Sequence, residues 1–123
     1  MWRVTHDDVE SIAIGAGILG TGGGGNPYLG KIHLQSLLAE GYAPTVINLD
    51  ELADDAVVAE LGSMGAPTVG LEKLPGGEEA RWALEALESY VGKSIDAILC
   101  AEIGGANSIE PLVGGALTGK PVI

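Results

Sequence analysis

The 123-residue sequence contains no phenylalanine, one cysteine and only six lysine and arginine residues. Seventeen aspartate and glutamate residues outnumber these positive charges, so the net charge at pH 7 is -11. Such an acidic chain is repelled by phosphate backbones and anionic lipid, which excludes nucleic acid and membrane surfaces as default partners. The lone cysteine, Cys100, leaves no internal disulfide, and this fits a reducing, cytoplasmic setting.

Long apolar segments are also missing. The longest run of apolar and glycine residues covers 12–20, well short of the roughly 20 residues of a membrane span. The N-terminus leads directly into the polar residues 6–8 without the apolar stretch of a signal peptide. Hydrophobic residues nevertheless form 46% of the chain, too many for a disordered protein. We therefore expect one soluble, cytoplasmic domain.

Alternating helix-like and strand-like segments predict an α/β fold with a mixed sheet and packed helices. Apolar residues at helical spacing predict helices over 6–19, 27–41, 78–91 and 108–118. Short apolar or β-branched runs predict strands over 45–49, 57–61 and 95–101.

Residues 120–123 resemble the start of a further strand. Because no turn or polar tail follows it, we expect residues 1–123 to be a domain that is truncated at its C-terminus. A sheet without its later strands exposes apolar area, so we also expect a homo-oligomer or poor solubility of the fragment.

Gly15, Gly17 and Gly20 match the G-x-G-x-x-G pattern of dinucleotide-binding folds, but the context is wrong. In that motif the helix follows the glycines directly and points its N-terminus at the pyrophosphate. Here further glycines follow, and Glu40, the acidic residue at the distance of a ribose ligand, ends a predicted helix. Close helix packing is the simpler interpretation. No NAD is expected, and any other cofactor is unknown.

Four consecutive glycines precede the second predicted helix: Gly22, Gly23, Gly24 and Gly25. Asn26 and Pro27 follow as a predicted N-cap and first helical residue. Free glycine amides beside a helix N-terminus form a cradle for an anion or a carbonyl oxygen. The alternative is a sharp corner at which two backbone segments pass close together. The sequence leaves both open.

Glu102 follows the predicted strand 95–101 and precedes Gly104 and Gly105. In open α/β sheets, ligands bind outside the carboxyl ends of the strands. A carboxylate at that position can act as a general base, orient a water molecule or bind a metal. Asn107 follows at the predicted start of the last helix, where capping of that helix is the alternative role.

Met64 and Gly65 lie in an irregular segment that forms either another wall of the same cleft or a rigid turn. Cys100 has no histidine or basic residue nearby in the sequence, which favours a packed side chain over a nucleophile. The two histidines and the acidic residues show no metal-site spacing, so no metal site is predicted.

Three blocks of this sequence resemble the N-terminal domain of the S-methyl-thiohydantoin desulfurase family. They occur in the family's order and together span nearly the whole chain. The blocks are residues 20–28 (GTGGGGNPY), residues 64–69 (MGAPTV) with 72–74 (EKL), and residues 102–108 (EIGGANS) with 111–112 (PL). Their combination is specific, although each block alone is a weak signal.

The resemblance implies an α/β N-terminal domain of a longer cytoplasmic protein, from a family often encoded beside hydantoinase or oxoprolinase subunits. The implied activity is hydrolytic loss of methanethiol from an S-methyl-thiohydantoin ring. In this hypothesis Glu102 orients or deprotonates water, Asn107 hydrogen-bonds the ring, and the glycine amides hold its carbonyl oxygen. Further predicted substrate-binding residues are Asn26, Met64, Gly65, Gly104 and Gly105.

The alternative hypothesis is a non-catalytic subunit that binds a small cyclic amide and partners a hydantoinase or oxoprolinase. The lack of a histidine, lysine or cysteine in a catalytic context favours this alternative.

Overall fold

The computed structural model describes residues 1–66 and 68–123; Pro67, in the irregular segment near Met64, lies outside the described residues. Five helices and four short strands occur among them. In chain order they are β1 (Trp2–Arg3), α1 (His6–Gly20), α2 (Tyr28–Ala39), β2 (Thr45–Val46), β3 (Val58–Glu60), α3 (Val69–Glu72), α4 (Glu79–Val91), β4 (Ala97–Leu99) and α5 (Glu110–Thr118). Single 3-10 turns cover Leu49–Glu51 and Ala106–Ser108.

The strands form two pairs that one residue joins. β1 pairs with β2 in antiparallel orientation, and β3 pairs with β4 in parallel, with Glu60 opposite Leu99. Val122 makes parallel bridges to both Val46 and Ile98. The spatial order is therefore β1, β2, Val122, β4, β3, and the predicted mixed sheet is confirmed.

The helices cover this sheet with α5 at the centre, since α5 contacts both α2 and α4, and α1 packs on α2. Leu34, Leu84, Ile98 and Ile109 are fully buried at the contacts. Gly114 lets α5 approach the sheet, because an added Cβ there would overlap the Leu61 side chain. The aliphatic core, which contains no phenylalanine, is packed by this close approach of α5 to the sheet.

The predicted elements are present with changed bounds. The predicted helices correspond to α1, α2, α4 and α5, and the Thr5–Asp8 capping box at the start of α1 is formed. The predicted strands are shorter than expected, because Leu49 turns into a 3-10 helix and Cys100 leaves the sheet. β1 and α3 were not predicted.

Among the described residues, no helix has the length and apolarity needed to cross a membrane.

Two glycine-rich segments cross at backbone distance and determine where the site lies. Gly105 donates its N–H to the Ala16 carbonyl at 2.8 Å, which ties the segment after β4 to α1. A Cβ on Gly104 would overlap the backbone of Gly20. A Cβ on Gly105 would likewise overlap the backbone of Gly24, and both Gly24 and Gly105 have positive φ. The predicted alternative of a close backbone approach is therefore present.

Glu88 connects the end of α4 to the last strand-like segment. Its Oε1 accepts hydrogen bonds from Lys120 Nζ at 2.8 Å and from the Ile95 N–H at 2.7 Å. Lys120 Nζ also donates to the Ile95 carbonyl at 2.8 Å. The Lys120 bond is the largest cause that lowers the pKa of Glu88 from 4.5 to about 2.

The crossing predicts opposite effects of alanine at two glycines. Gly104→Ala should lower the free energy of unfolding by about 1–3 kcal/mol, because the methyl group must displace backbone. Gly15→Ala should raise it by about 0.5–1 kcal/mol, because Gly15 lies inside α1 and its Cβ meets no atom within 4 Å. Urea unfolding of both variants checks this. If both substitutions changed the free energy of unfolding by the same amount and in the same direction, the close backbone contact at Gly104 would be contradicted.

The Glu88 hydrogen bonds predict acid sensitivity. The lowered pKa means that the carboxylate stabilises the fold fully above about pH 4.5, and that this contribution is lost as the pH falls through about 2. Glu88→Gln should therefore be less stable than the wild type at pH 7, and the difference should shrink as the pH falls towards and below about 2. Unfolding at a series of pH values measures the difference. A difference that stays constant from pH 7 to pH 2 would contradict this linkage.

Candidate functional site

A cleft of about 240 Å³ opens at the carboxyl ends of β3 and β4. Because the two strands are parallel, the residues that follow them meet at one edge of the sheet. The cleft is lined by Glu60, Leu61, Gly62, Ser63, Met64, Cys100, Ala101, Glu102 and Asn107. Three predicted site residues, Met64, Glu102 and Asn107, are therefore brought together.

The Asn107 side chain links the two strand ends. Its Oδ1 accepts a hydrogen bond from the Ser63 N–H at 2.7 Å, and its Nδ2 donates to Glu102 Oε2 at 3.1 Å. Asn107 lies in the 3-10 turn before α5, and the N-cap of α5 is Ile109. The side chain therefore positions Glu102 and does not cap the helix.

The Cys100 thiol sits beneath this carboxylate. Its Sγ donates to the Asn107 carbonyl at 2.9 Å and accepts a hydrogen bond from the Glu102 N–H at 3.2 Å. Burial raises the pKa of the Cys100 thiol, and the negative charges of Glu102 and Glu60 raise it further. A raised pKa keeps the group a neutral thiol at pH 7. Cys100 thus orders the turn, as its packed interpretation predicts.

The glycine loop lies directly beside Glu102. A Cβ on Gly24 would come within 3.0 Å of Glu102 Oε2. The loop holds the 3-10 turn through its carbonyl groups, since Gly24 and Gly25 accept hydrogen bonds from the Asn107 and Ala106 N–H groups at 3.2 and 3.1 Å. Asn26 Oδ1 accepts the Tyr28 N–H at 2.9 Å. The N-cap of α2 is Pro27 and its first residue is Tyr28, so the helix begins one residue later than predicted. The loop and the carboxylate therefore form one structural unit.

The other predicted glycines have different surroundings. Gly22 has positive φ and no atom within 4 Å of an added Cβ, and Gly23 donates its N–H to the Gly20 carbonyl at 2.7 Å. Gly104 and Gly105 make the backbone crossing described above. Gly65 has open space around it and is not part of the cleft lining, whereas Met64 is fully exposed at its rim.

Sequence reasoning missed Glu60, the last residue of β3, and Ser63, which follows it; both line the cleft together with Glu102. The sequence contained part of the information, because the predicted strand 57–61 includes Glu60 and ends two residues before Ser63. Pairing that strand in parallel with 95–101 would have placed both residues at the site. The sequence does not reveal which strands are neighbours.

A second cleft of about 670 Å³ lies at the opposite end of the same strands, where Ala56 precedes β3 and Asp96 precedes β4. None of its lining residues belongs to the predicted site. Within residues 1–66 and 68–123, no three histidine, cysteine or acidic side chains are grouped to hold a metal ion.

The chain is similar to one known domain family and to a solved structure. The family described as S-Me-THD-like, N-terminal domain, matches residues 7–123. A crystal structure of a protein from Chromobacterium violaceum is similar with a TM-score of 0.74 and 26% sequence identity. The match covers 99% of this chain and 34% of that protein, so this chain spans about a third of its length. No curated protein matches the chain.

The family match extends over all three motif blocks, the glycine loop, the Met64 segment and the segment from Glu102 to Asn107. It also covers α1 from its second residue and every later element through α5. The chain therefore belongs to the family of S-Me-THD-like N-terminal domains that its motifs resemble.

Proposed function

We propose that this domain is the N-terminal part of a longer protein and supplies the site at which an S-methyl-thiohydantoin ring is hydrolysed. The observation that supports the proposal is the Glu102 carboxylate, which Asn107 holds at the mouth of a cleft at the carboxyl edge of the sheet. The cleft volume of about 240 Å³ is below the range of sites for drug-sized ligands and suits one small ring.

The reaction needs an activated water at the ring carbon that bears sulfur. Glu102 accepts a proton from that water while the oxygen attacks the carbon and forms a tetrahedral intermediate. The C–S bond then breaks, and the methylthiolate takes the proton from Glu102 and leaves as methanethiol. Glu102 thereby regains its charge. The electron pair that moved to the ring nitrogen during the attack re-forms the carbon–nitrogen double bond as the thiolate leaves. The hydroxyl hydrogen that remains from the water then moves to this nitrogen, so the ring carbon becomes a carbonyl and the product is a hydantoin.

The neighbours of Glu102 have supporting roles in this proposal. Asn107 Nδ2 carries two hydrogens and donates one of them to Glu102. In this proposal the second hydrogen is donated to an acceptor on the ring. Gly24 lies beside the Glu102 carboxylate, and in this proposal N–H groups of the glycine loop other than that of Gly23, which bonds to the Gly20 carbonyl, stabilise negative charge on the ring oxygen. The carbonyl groups of Gly24 and Gly25 fix the 3-10 turn that carries Asn107.

A second function has one observation in its favour. The described residues that line the cleft include no histidine, lysine or arginine, and the Cys100 pKa is raised. Glu102 is therefore the only acid-base group we assign, and protonation of the leaving thiolate depends on it alone. The alternative is a non-catalytic domain that binds a small cyclic amide and assembles with hydantoinase or oxoprolinase subunits, or with further copies of itself.

The hydrolysis proposal predicts the effect of Glu102→Gln in the full-length protein. The amide keeps the shape and the bond to Asn107 but cannot accept a proton from water. Turnover of an S-methyl-thiohydantoin should fall by about 10²- to 10⁴-fold, the usual contribution of a general base. Release of methanethiol, followed with a thiol reagent, measures the rate.

Glu85→Gln is the matched control, because it removes the same charge from an exposed position on α4 outside the cleft. Its turnover should equal that of the wild type. Unchanged turnover in Glu102→Gln would reject the general-base role. Ring binding by calorimetry with no turnover in the wild-type protein would favour the binding domain.

A further inference from the structure

The charges of the cleft are all of one sign. Glu60 ends β3 and Glu102 follows β4, so the two residues line the same cleft at one edge of the sheet. The other described lining residues are neutral: Leu61, Gly62, Ser63, Met64, Cys100, Ala101 and Asn107. A ligand in this cleft meets two negative charges and no positive side chain from the described residues.

Neither carboxylate is neutralised by an ion pair among residues 1–66 and 68–123. The salt bridges there use Glu51, Glu10, Glu78 and Glu88. Glu102 accepts one hydrogen bond from the neutral amide of Asn107, and Glu60 is exposed. Both side chains line the same cleft, and Cys100 lines it with them.

A ring substituent inside the cleft therefore experiences the sum of these charges. Two like charges about 5 Å apart weaken binding by about fourfold at the dielectric constant of water and by more than about a hundredfold at the value of about 20 that is typical near a protein surface. At a partly solvated site we therefore expect a loss of about tenfold or more. Salt screens such repulsion, because the Debye length falls from about 10 Å at 0.1 M to about 3 Å at 1 M. Repulsion by charge can thus be distinguished from exclusion by size.

We infer that Glu60 is a specificity-determining residue that makes the cleft select neutral rings over rings bearing a carboxylate. This rests on the function proposed above, in which Glu102 already carries one negative charge at the reacting carbon. Glu60 has no place in that chemistry and acts on the substituent of the ring. The substrate class is a hydantoin-like ring with an uncharged side chain.

Two S-methyl-thiohydantoins of nearly equal size test the inference, one with a carboxymethyl and one with a carbamoylmethyl substituent on the ring carbon. Both binding, by calorimetry, and methanethiol release are measured with the full-length protein at low salt and at 1 M NaCl. We expect the amide to bind about tenfold more tightly than the carboxylate at low salt, and the ratio to approach one at 1 M NaCl.

Glu60→Gln should lower the preference for the amide at low salt, because it removes one of the two charges. Glu85→Gln, which removes a charge outside the cleft, should keep the wild-type ratio. The hydrolysis rate of the carbamoylmethyl ring should be unchanged in Glu85→Gln. If Glu60 contributed only to folding, its replacement would not change how the ratio of the two ring affinities depends on salt.

The outcomes separate this inference from the proposed function. Binding that prefers the amide without any methanethiol release supports the inference and rejects hydrolysis. Equal binding of the two rings at low salt, or a ratio unchanged in Glu60→Gln, overturns the inference whatever the turnover is. Failure of both rings to bind overturns the inference and the proposed function together.

Discussion

The close passage of two backbone segments is the constraint on which the site depends. The chain between α1 and α2 crosses the chain between β4 and α5 where neither can carry a side chain. Gly104 lies against Gly20, and Gly105 lies against Gly24. The hydrogen bond from Gly105 to Ala16 closes the contact. A methyl group at the crossing would separate α1 from the strand that delivers Glu102.

Groups next to this crossing hold the Asn107 turn and the Glu102 carboxylate through hydrogen bonds. The glycine carbonyls hold the 3-10 turn of Asn107, and Asn107 in turn spans from Ser63 to Glu102. The Cys100 thiol bonds to the backbone of the same turn. The side chain of Glu102 is thus fixed by a network of neutral groups, which leaves its charge uncompensated and facing the cleft. An uncompensated carboxylate is what both the proposed chemistry and the proposed charge selection require.

Helices were easier to predict than strands, and the reason is physical. α4 has its apolar residues on one stripe and ends at Gly92 in a left-handed cap, both of which are local properties of the sequence. The strands have only two or three residues each, and Val122 joins the pairs by single bridges. Pairing at such short strands depends on partners far away in the chain. β1 was missed for this reason, since Trp2 pairs with Val46.

The sequence by itself determined the fold class, the helical segments, the position of Glu102 after a buried strand and the family, because these follow from local patterns and a specific set of motifs. Only the tertiary structure decided that Glu60 and Ser63 line the same cleft as Glu102, and that the Asn107 side chain bonds to Ser63 and Glu102 and does not cap α5. Ser63 and Asn107 are 44 positions apart. Their contact exists because β3 and β4 pair in parallel and the glycine crossing holds the turn against them, and neither condition is a property of any local stretch of residues.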